Sequence, residues 1–508
     1  MTETQAAETN ASVGRTIARN TVFGVGAQLV LRVASFIFQV AVINNLGDEN
    51  WGKYNIVIGW ATLFGVLGDL GISQYLTREI ARDKSNAKQL FWNSVVLRFL
   101  LAIVAGVVTT ISAIIIGYSP EIVIGCILFT TSYLFQALLA PLTSLIVGSE
   151  RIDLSSLFAV VLQVLFWIFG TIVMVLGLGF QWIVVANVVN IPITALLMFY
   201  SVRRNKLGPP QFHITVEDWW PLLRASLPFG AMQLSLSFAY RMDTIILSRT
   251  ATEQVVGWYN VAYSLTLTLL TATRAYNEAV LPSLSRAYAN DPDTARNIYF
   301  RSVKMMAFLG LPLCVGGTIL AAKIIATLYK PEYAPAALAL AILIWDIPFN
   351  VYHAFGGAVA NSMKREHTVS NIFIVLSILN FFLNLVLIIP LGMIGASFAT
   401  VLTDVWGAAQ FYFLFRYRFG AGLQFRNLIR LAGAALIMGI VAYWLSHLAL
   451  INSLGKWGSL LFIIGISAVV YLILAWFSGA FTLQEREQFT RLAMRVMGAL
   501  RRKLGFAT

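Results

Sequence analysis

The chain has 508 residues, 58% of them hydrophobic and only 12% charged, a composition that excludes a water-soluble globular protein. Long, nearly charge-free runs between short charged turns predict membrane-spanning helices, because a membrane barrel would show strands of about 10 residues with alternating polarity. The net charge of +13 is spread over the turns rather than massed in one run, so it points to membrane orientation instead of a nucleic-acid partner.

The opening stretch, MTETQAAETNASVGRTIARN, is polar and lacks the apolar core of a signal peptide, so the helix that begins near Thr21 is expected to be retained. Between Thr21 and Asp83, two apolar runs of about 23 residues flank a polar turn at Leu46–Lys53, and each can cross a bilayer core of roughly 30 Å. Arg78, Glu79 and Arg82 close the second run as a basic exit onto the cytoplasmic surface. This hairpin has a copy. Shifted by 205 positions, Gln28, Leu29 and Leu31 fall on Gln233, Leu234 and Leu236, while Gly52, Tyr54 and Asn55 fall on Gly257, Tyr259 and Asn260. A match in both the helix and the GxYN turn points to duplication.

Fourteen apolar spans are expected between residues 21 and 477. Six of them make a first lobe (1–206) and six a second (207–420), while the last two and a basic tail fill 421–508. An even number of helices returns the chain to its starting side, so the lobes run parallel. The expected fold is an all-α polytopic membrane protein with about fourteen helices in two parallel six-helix lobes plus two C-terminal helices. Between the lobes, Pro209 and Pro210 break the chain, and Trp219, Trp220 and Leu222 predict a short interfacial helix. In the tail, Leu483, Phe489, Leu492, Val496 and Leu500 share one face and Arg491, Arg495, Arg501 and Arg502 lie elsewhere, as in a basic amphipathic anchor for anionic lipids. Most of the 36 Lys and Arg then lie inside with both termini, and only Lys53, Arg249, Lys330 and Lys456 lie outside.

An ionisable side chain at a helix centre costs about 2.5 to 3.5 kcal/mol and needs a partner, an aqueous cavity or a route to the interface. Arg32 lies roughly 18 Å along the first span and reads as a cation lining a cavity. Arg98 is nearer the inner surface, where snorkelling and a cavity role are equally open. Asp69 and Arg274 are equivalent under the 205-residue shift, so an ion pair between the lobes and direct ligand contact are both open. Glu278, one turn beyond Arg274, would neutralise it. Arg241 and Asp243 sit two residues apart and face different partners. Asp346 precedes Pro348, which would kink the tenth span and leave a carboxylate beside a broken helix, either a sodium or proton site or a hydrogen-bonded structural group. Asp404 poses the same choice without a helix breaker, and Lys323 would snorkel.

Catalysis has no support in the sequence. No external loop exceeds roughly a dozen residues, no GxxxxGK[ST] motif occurs, and His213, His353, His367 and His447 show no metal-ligand spacing. Cys126 and Cys314 both fall inside spans, so neither a disulfide nor a metal or cofactor site is expected.

Two stretches resemble a known family. NLGDENWGKYNIVIGWATLFGVLGDLGISQYLTREIARD is similar to the N-terminal signature of polysaccharide-biosynthesis flippases, with LG-x-x-x-x-G-x-Y followed by a helix ending in D-L-G-I and R-E-I-A-R. RMDTIILSRTATEQVVGWYNVAY looks like their RxD-x-I-I-L…GxYN-x-A motif. These are the Wzx-type branch of the multidrug/oligosaccharidyl-lipid/polysaccharide exporter superfamily, and the resemblance implies a MATE-like fold. It implies a polyprenyl-diphosphate-linked glycan moved from the cytoplasmic to the outer leaflet of an inner membrane, possible partnership with other polysaccharide-assembly proteins, and no enzyme activity. It also implies cavity arginines in the first and eighth helices, positions held here by Arg32 and Arg274; Arg98 and Arg241 are further candidate cavity cations from the reading of the charged residues. Without an ATP motif the drive would be a Na+ or H+ gradient or the lipid-linked sugar itself, and Asp69, Asp243, Asp346 and Asp404 are the coupling candidates. The rival readings are a cation-coupled multidrug antiporter, a peptidoglycan-precursor flippase, or a membrane glycan polymerase or ligase.

Overall fold

A computed structural model describes residues 3–205, 207, 212, 214–419, 425–483, 485–487 and 490, with the side chains of 3–30, 86, 88, 271–279, 282, 289, 290, 292, 366, 418 and 419 outside the description. Among the described residues all regular structure is helical. The first half comprises α1 (Glu3–Gly65), α2 (Ile72–Arg82), α3 (Ala87–Ile116), α4 (Pro120–Gly148), α5 (Ile152–Val175) and α6 (Phe180–Arg204). The second comprises α7 (Trp219–Thr250), α8 (Glu253–Asn290), α9 (Pro292–Leu328), α10 (Ala336–Leu343), α11 (Asp346–Ser362) and α12 (Glu366–Phe419). Then follow α13 (Phe425–His447), the single turn α14 (Ala449–Asn452) and α15 (Gly455–Phe477).

Breaks in the helices fall where the sequence can no longer sustain them. A straight α1 would be roughly 95 Å long, but at Gly47 the backbone leaves the helix with φ 79°, a value only glycine adopts freely. That glycine lies in the predicted turn. In α12 the break is at Gly392, and the chain folds back so closely that a Cβ on Gly395 would lie 1.9 Å from the Leu387 carbonyl oxygen. The tenth span breaks between Leu343 and Asp346, two residues before Pro348, as the proline predicts. Nine described helices are long and apolar enough to cross a membrane, or ten with the bent α1–α2 pair. The fourteen expected spans are not reached on this measure, which takes the folded-back His367–Tyr417 as one helix and omits the polar α7 and α8.

The short interfacial helix predicted at Trp219–Leu222 is instead the opening of α7. Pro221 falls in its first turn, where a missing N–H costs nothing, so the helix continues into the membrane. The preceding segment is pinned to α3: Asn93 Oδ1 accepts from the Thr215 N–H at 2.9 Å and from Trp219 Nε1 at 3.2 Å.

One apolar core joins the two halves, with Ile43, Val57 and Phe180 on one side and Leu247, Tyr259 and Tyr333 on the other. Smaller cores lie within each half, around Leu76 and Phe158 and around Phe355 and Phe411. A fourth fixes α13 and α15 to α9 through Met438, Tyr471 and Val315. Ile103, Val107, Ile111 and Ile114 form an exposed apolar stripe on α3, a face that lipid tails rather than water would solvate.

Beyond α15 the chain is clasped to α9. Glu485 Oε2 lies 2.6 Å from Lys304 Nζ and accepts the Thr482 N–H at 2.8 Å, while Thr482 Oγ1 accepts from the Glu485 N–H at 3.4 Å, forming a capping box. The tail residues Phe489, Arg491, Leu492, Arg495, Val496, Leu500, Arg501 and Arg502 lie outside the described residues. Burial alone would raise the Glu485 carboxyl, but Lys304 and the Thr482 N–H outweigh it and hold it below the usual carboxylate range. Its stabilisation is therefore present above the unfolded-state value and lost as the pH falls through the depressed one. Glu485→Ala would strand a buried ammonium, with an expected local cost of about 3 kcal/mol. Hydrogen exchange over 480–487 should accelerate in the variant at neutral pH, and in the native protein only as the pH falls below the usual carboxylate range.

Candidate functional site

The two halves are sealed together at the end of the molecule that carries the Gly47 turn. A Cβ on Gly52 would sit 1.8 Å from the Glu253 carbonyl oxygen, and one on Gly257 would sit 2.2 Å from that of Asp48. The contacts are reciprocal, because Asp48 and Gly52 become Glu253 and Gly257 under the same 205-residue shift. Side chains reinforce the seal. Trp258 Nε1 donates to Asp48 Oδ2 at 3.0 Å, Asn44 Nδ2 to the Leu328 carbonyl at 2.8 Å, and the Tyr333 hydroxyl to the Ile43 carbonyl at 2.9 Å.

Next to this seal lies a cavity of about 740 Å³, lined from α1, α5, α6, α7 and α8. Arg241 is the one charged side chain among its described lining residues. Asn55 and Asn260, equivalent in the repeat, both line it and both donate to their own helix, at 2.8 Å to the Trp51 carbonyl and 2.9 Å to that of Val256. Arg32 is exposed on α1, on the stripe that carries Ser35 and Gln39 of the cavity wall one and two turns further on. It is not itself in the wall.

Asp243 points away from Arg241 into the packing of α7 against α8. It is buried, accepts the Thr244 N–H at 2.6 Å and takes the Tyr259 hydroxyl as a second donor. The sequence spacing sets these two neighbours towards different surroundings; Asp243 is engaged by Thr244 and Tyr259, and Arg241 lines the cavity.

The other ionisable residues named from the sequence are dispersed. Asp69 takes its partner from within its own half, forming an ion pair with Arg98, whose Nη1 also donates to Ser73 Oγ at 2.6 Å. Ser73 returns its own N–H to Asp69 Oδ1 at 3.1 Å. Arg98 is thus buried and paired rather than snorkelling. This cluster closes the break between α1 and α2, where Leu70 and Gly71 adopt φ 45° and 81°. Arg274 and Glu278 lie on α8, but their side chains are outside the described residues. Asp346 is buried at the start of α11. Asp404 accepts from Asn350 Nδ2 at 2.8 Å and lies 3.3 Å from His353 Nδ1. Lys323 donates to Asn452 Oδ1 at 2.6 Å.

Sequence reasoning assigned no role to the amides of the cavity wall. Gln39, Gln163 and Gln233 come from α1, α5 and α7, and polar residues at isolated helical positions carry no local signal that they converge. The seal glycines were visible as repeat matches, but their contact across the halves was not.

The sequence profile described as polysaccharide biosynthesis protein matches residues 17–288, more than half of the chain. The chain belongs to the polysaccharide biosynthesis protein family. Within the multidrug/oligosaccharidyl-lipid/polysaccharide exporter superfamily, a second profile, MatE, matches residues 228–386. A relative named as probable flippase AglR, from Haloferax volcanii, is 23% identical over 416 residues, covering 77% of this chain and 82% of its own length. The probable low-salt glycan biosynthesis flippase Agl15 of the same organism is 23% identical over 163 residues, 32% of this chain and 34% of that one. Among solved structures, lipid II flippase MurJ in an inward closed conformation superposes with a TM-score of 0.72 at 15% identity, over 88% of this chain and 98% of that one. An inward-facing multidrug resistance MATE family transporter gives 0.58 at 18% identity, over 75% and 97%. At these identities the likeness is one of fold. Family member and helical architecture together make this a multi-pass membrane protein.

Proposed function

We propose that the chain flips a polyprenyl-diphosphate-linked oligosaccharide from the cytoplasmic to the outer leaflet by alternating access between its two lobes, 1–206 and 207–420. The observation that carries this reading is a cavity between the halves, shut at one end by backbone contacts and holding an arginine. A glycan and a diphosphate cannot enter hydrocarbon unaided, whereas Arg241, in a wall that also carries five side-chain amides, supplies charge-assisted hydrogen bonds to phosphate oxygens. Arg32, on the same stripe of α1, would meet the anion on its way in. The names of the Haloferax relatives support the glycan-flippase reading.

Orientation follows from charge. The end carrying Arg78, Arg82, Lys84, Arg151, Arg203 and Arg204 would face the cytoplasm, with both termini, and the sealed end would face outward across an inner membrane. Anionic inner-leaflet lipids would hold the basic tail. A Na+ or H+ gradient would act through carboxylates, with Asp243 the best placed, since it lies in the helix that also presents Arg241 to the cavity. A drug antiporter for organic cations would need an acidic cavity, and Arg241 argues against that rival.

The test is binding of undecaprenyl-diphosphate-linked oligosaccharide to the purified chain in nanodiscs. Arg241→Ala is expected to weaken it by roughly 10- to 100-fold, the worth of charge-assisted hydrogen bonds. Unchanged affinity would overturn the role of Arg241 as the phosphate anchor.

A further inference from the structure

Among the described residues, three glutamine amides that line the cavity have no protein partner. Five side-chain amides line the wall, and two of them, Asn55 and Asn260, are committed to their own helices at 2.8 Å and 2.9 Å. Gln39, Gln163 and Gln233 have no hydrogen-bond partner among the described residues, although each amide carries two donors and an acceptor. All three are half-buried and line the cavity from separate helices, so their donors and acceptors are available to a ligand that displaces water. Aromatic faces accompany them. Trp51 and Tyr54 stack with ring centroids 5.3 Å apart, and Phe38 and Phe166 meet edge to face at 5.3 Å. All four belong to the same wall.

We infer that Gln39, Gln163 and Gln233 read the sugar, selecting an uncharged hexose or N-acetylhexosamine next to the diphosphate. A planar amide offers a donor and an acceptor side by side, which matches neighbouring hydroxyls or an acetamido group, and flat aromatic faces suit the C–H faces of a pyranose ring. The wall thereby divides its tasks. Arg241 takes the charge, which every lipid diphosphate carries, and the amides take the hydroxyl pattern, which differs between glycans.

This inference rests on the flippase reading, and the experiment separates the two. The full chain in nanodiscs is titrated with undecaprenyl diphosphate and with undecaprenyl diphosphate bearing a single N-acetylglucosamine. The native chain is expected to bind the sugar-bearing lipid more tightly by about 10-fold or more, and the triple variant Gln39→Leu/Gln163→Leu/Gln233→Leu to bring the ratio of the two Kd values close to 1. If the triple variant does not fold, each single variant is expected to lower the ratio by about 2- to 3-fold. A native ratio near 1, or variants that keep the native ratio, would overturn the inference and leave the flippase reading standing. A native chain that binds neither lipid would overturn both.

Discussion

Gly52→Val is expected to slow transport by roughly 5- to 150-fold while the protein still reaches the membrane. A Cβ at this position would lie 1.8 Å from the Glu253 carbonyl oxygen, and the obstacle is backbone, so no rotamer change relieves it. The halves must part by more than an ångström at the sealed end. Overpacking of this kind costs about 1 to 3 kcal/mol, enough to shift a two-state equilibrium by roughly 5- to 150-fold away from the sealed state. Gly257→Val should behave in the same way, because its Cβ would meet the Asp48 carbonyl oxygen at 2.2 Å. Spin labels introduced in place of Asn50 and Glu332 would report a longer distance across the seal in either variant than in the parent. Normal transport with an unchanged distance would remove the glycine contact from the mechanism.

Arg98→Leu is expected to destabilise the first half by about 3 kcal/mol, because it leaves the half-buried Asp69 carboxylate with Ser73 alone as a partner. Asp69→Leu should cost a similar amount by stranding the guanidinium. Combining them should recover much of the loss, since an apolar pair needs no desolvation. Thermal unfolding of the four proteins in detergent gives the coupling energy directly. Simple addition of the two losses would mean that the ion pair does not hold the α1–α2 break. Exchanging Asp69 with Arg274 tests less, because the Asp69 carboxylate is already engaged by Arg98 and Ser73.

Much of the architecture is legible in the sequence because membrane helices obey a simple length and polarity rule. The hairpin turn is found where Leu46–Lys53 places it, and Asp346–Pro348 marks a real break. What sequence does not carry is the identity of long-range partners. Nothing local says that Asp69 will meet Arg98 rather than a residue of the other repeat, or that His353, with no motif around it, will sit 3.3 Å from Asp404. The same holds for the wall amides, which become a group only when α1, α5 and α7 converge. The repeat, by contrast, yields a geometric result: equivalent residues of the two copies meet each other at the seal, because a two-fold relation brings like positions to a common axis.

Passage of a lipid-linked glycan through this chamber changes which leaflet displays the sugar. Its most direct test is a leaflet assay in proteoliposomes loaded with undecaprenyl-diphosphate-linked oligosaccharide, with a membrane-impermeant glycosidase added outside. With the native chain present, cleavage is expected to proceed beyond the level of protein-free vesicles, and with Gly52→Val it should pass that level roughly 5- to 150-fold more slowly. Equal cleavage with and without the native chain would mean that the chamber does not carry the glycan lipid across the bilayer.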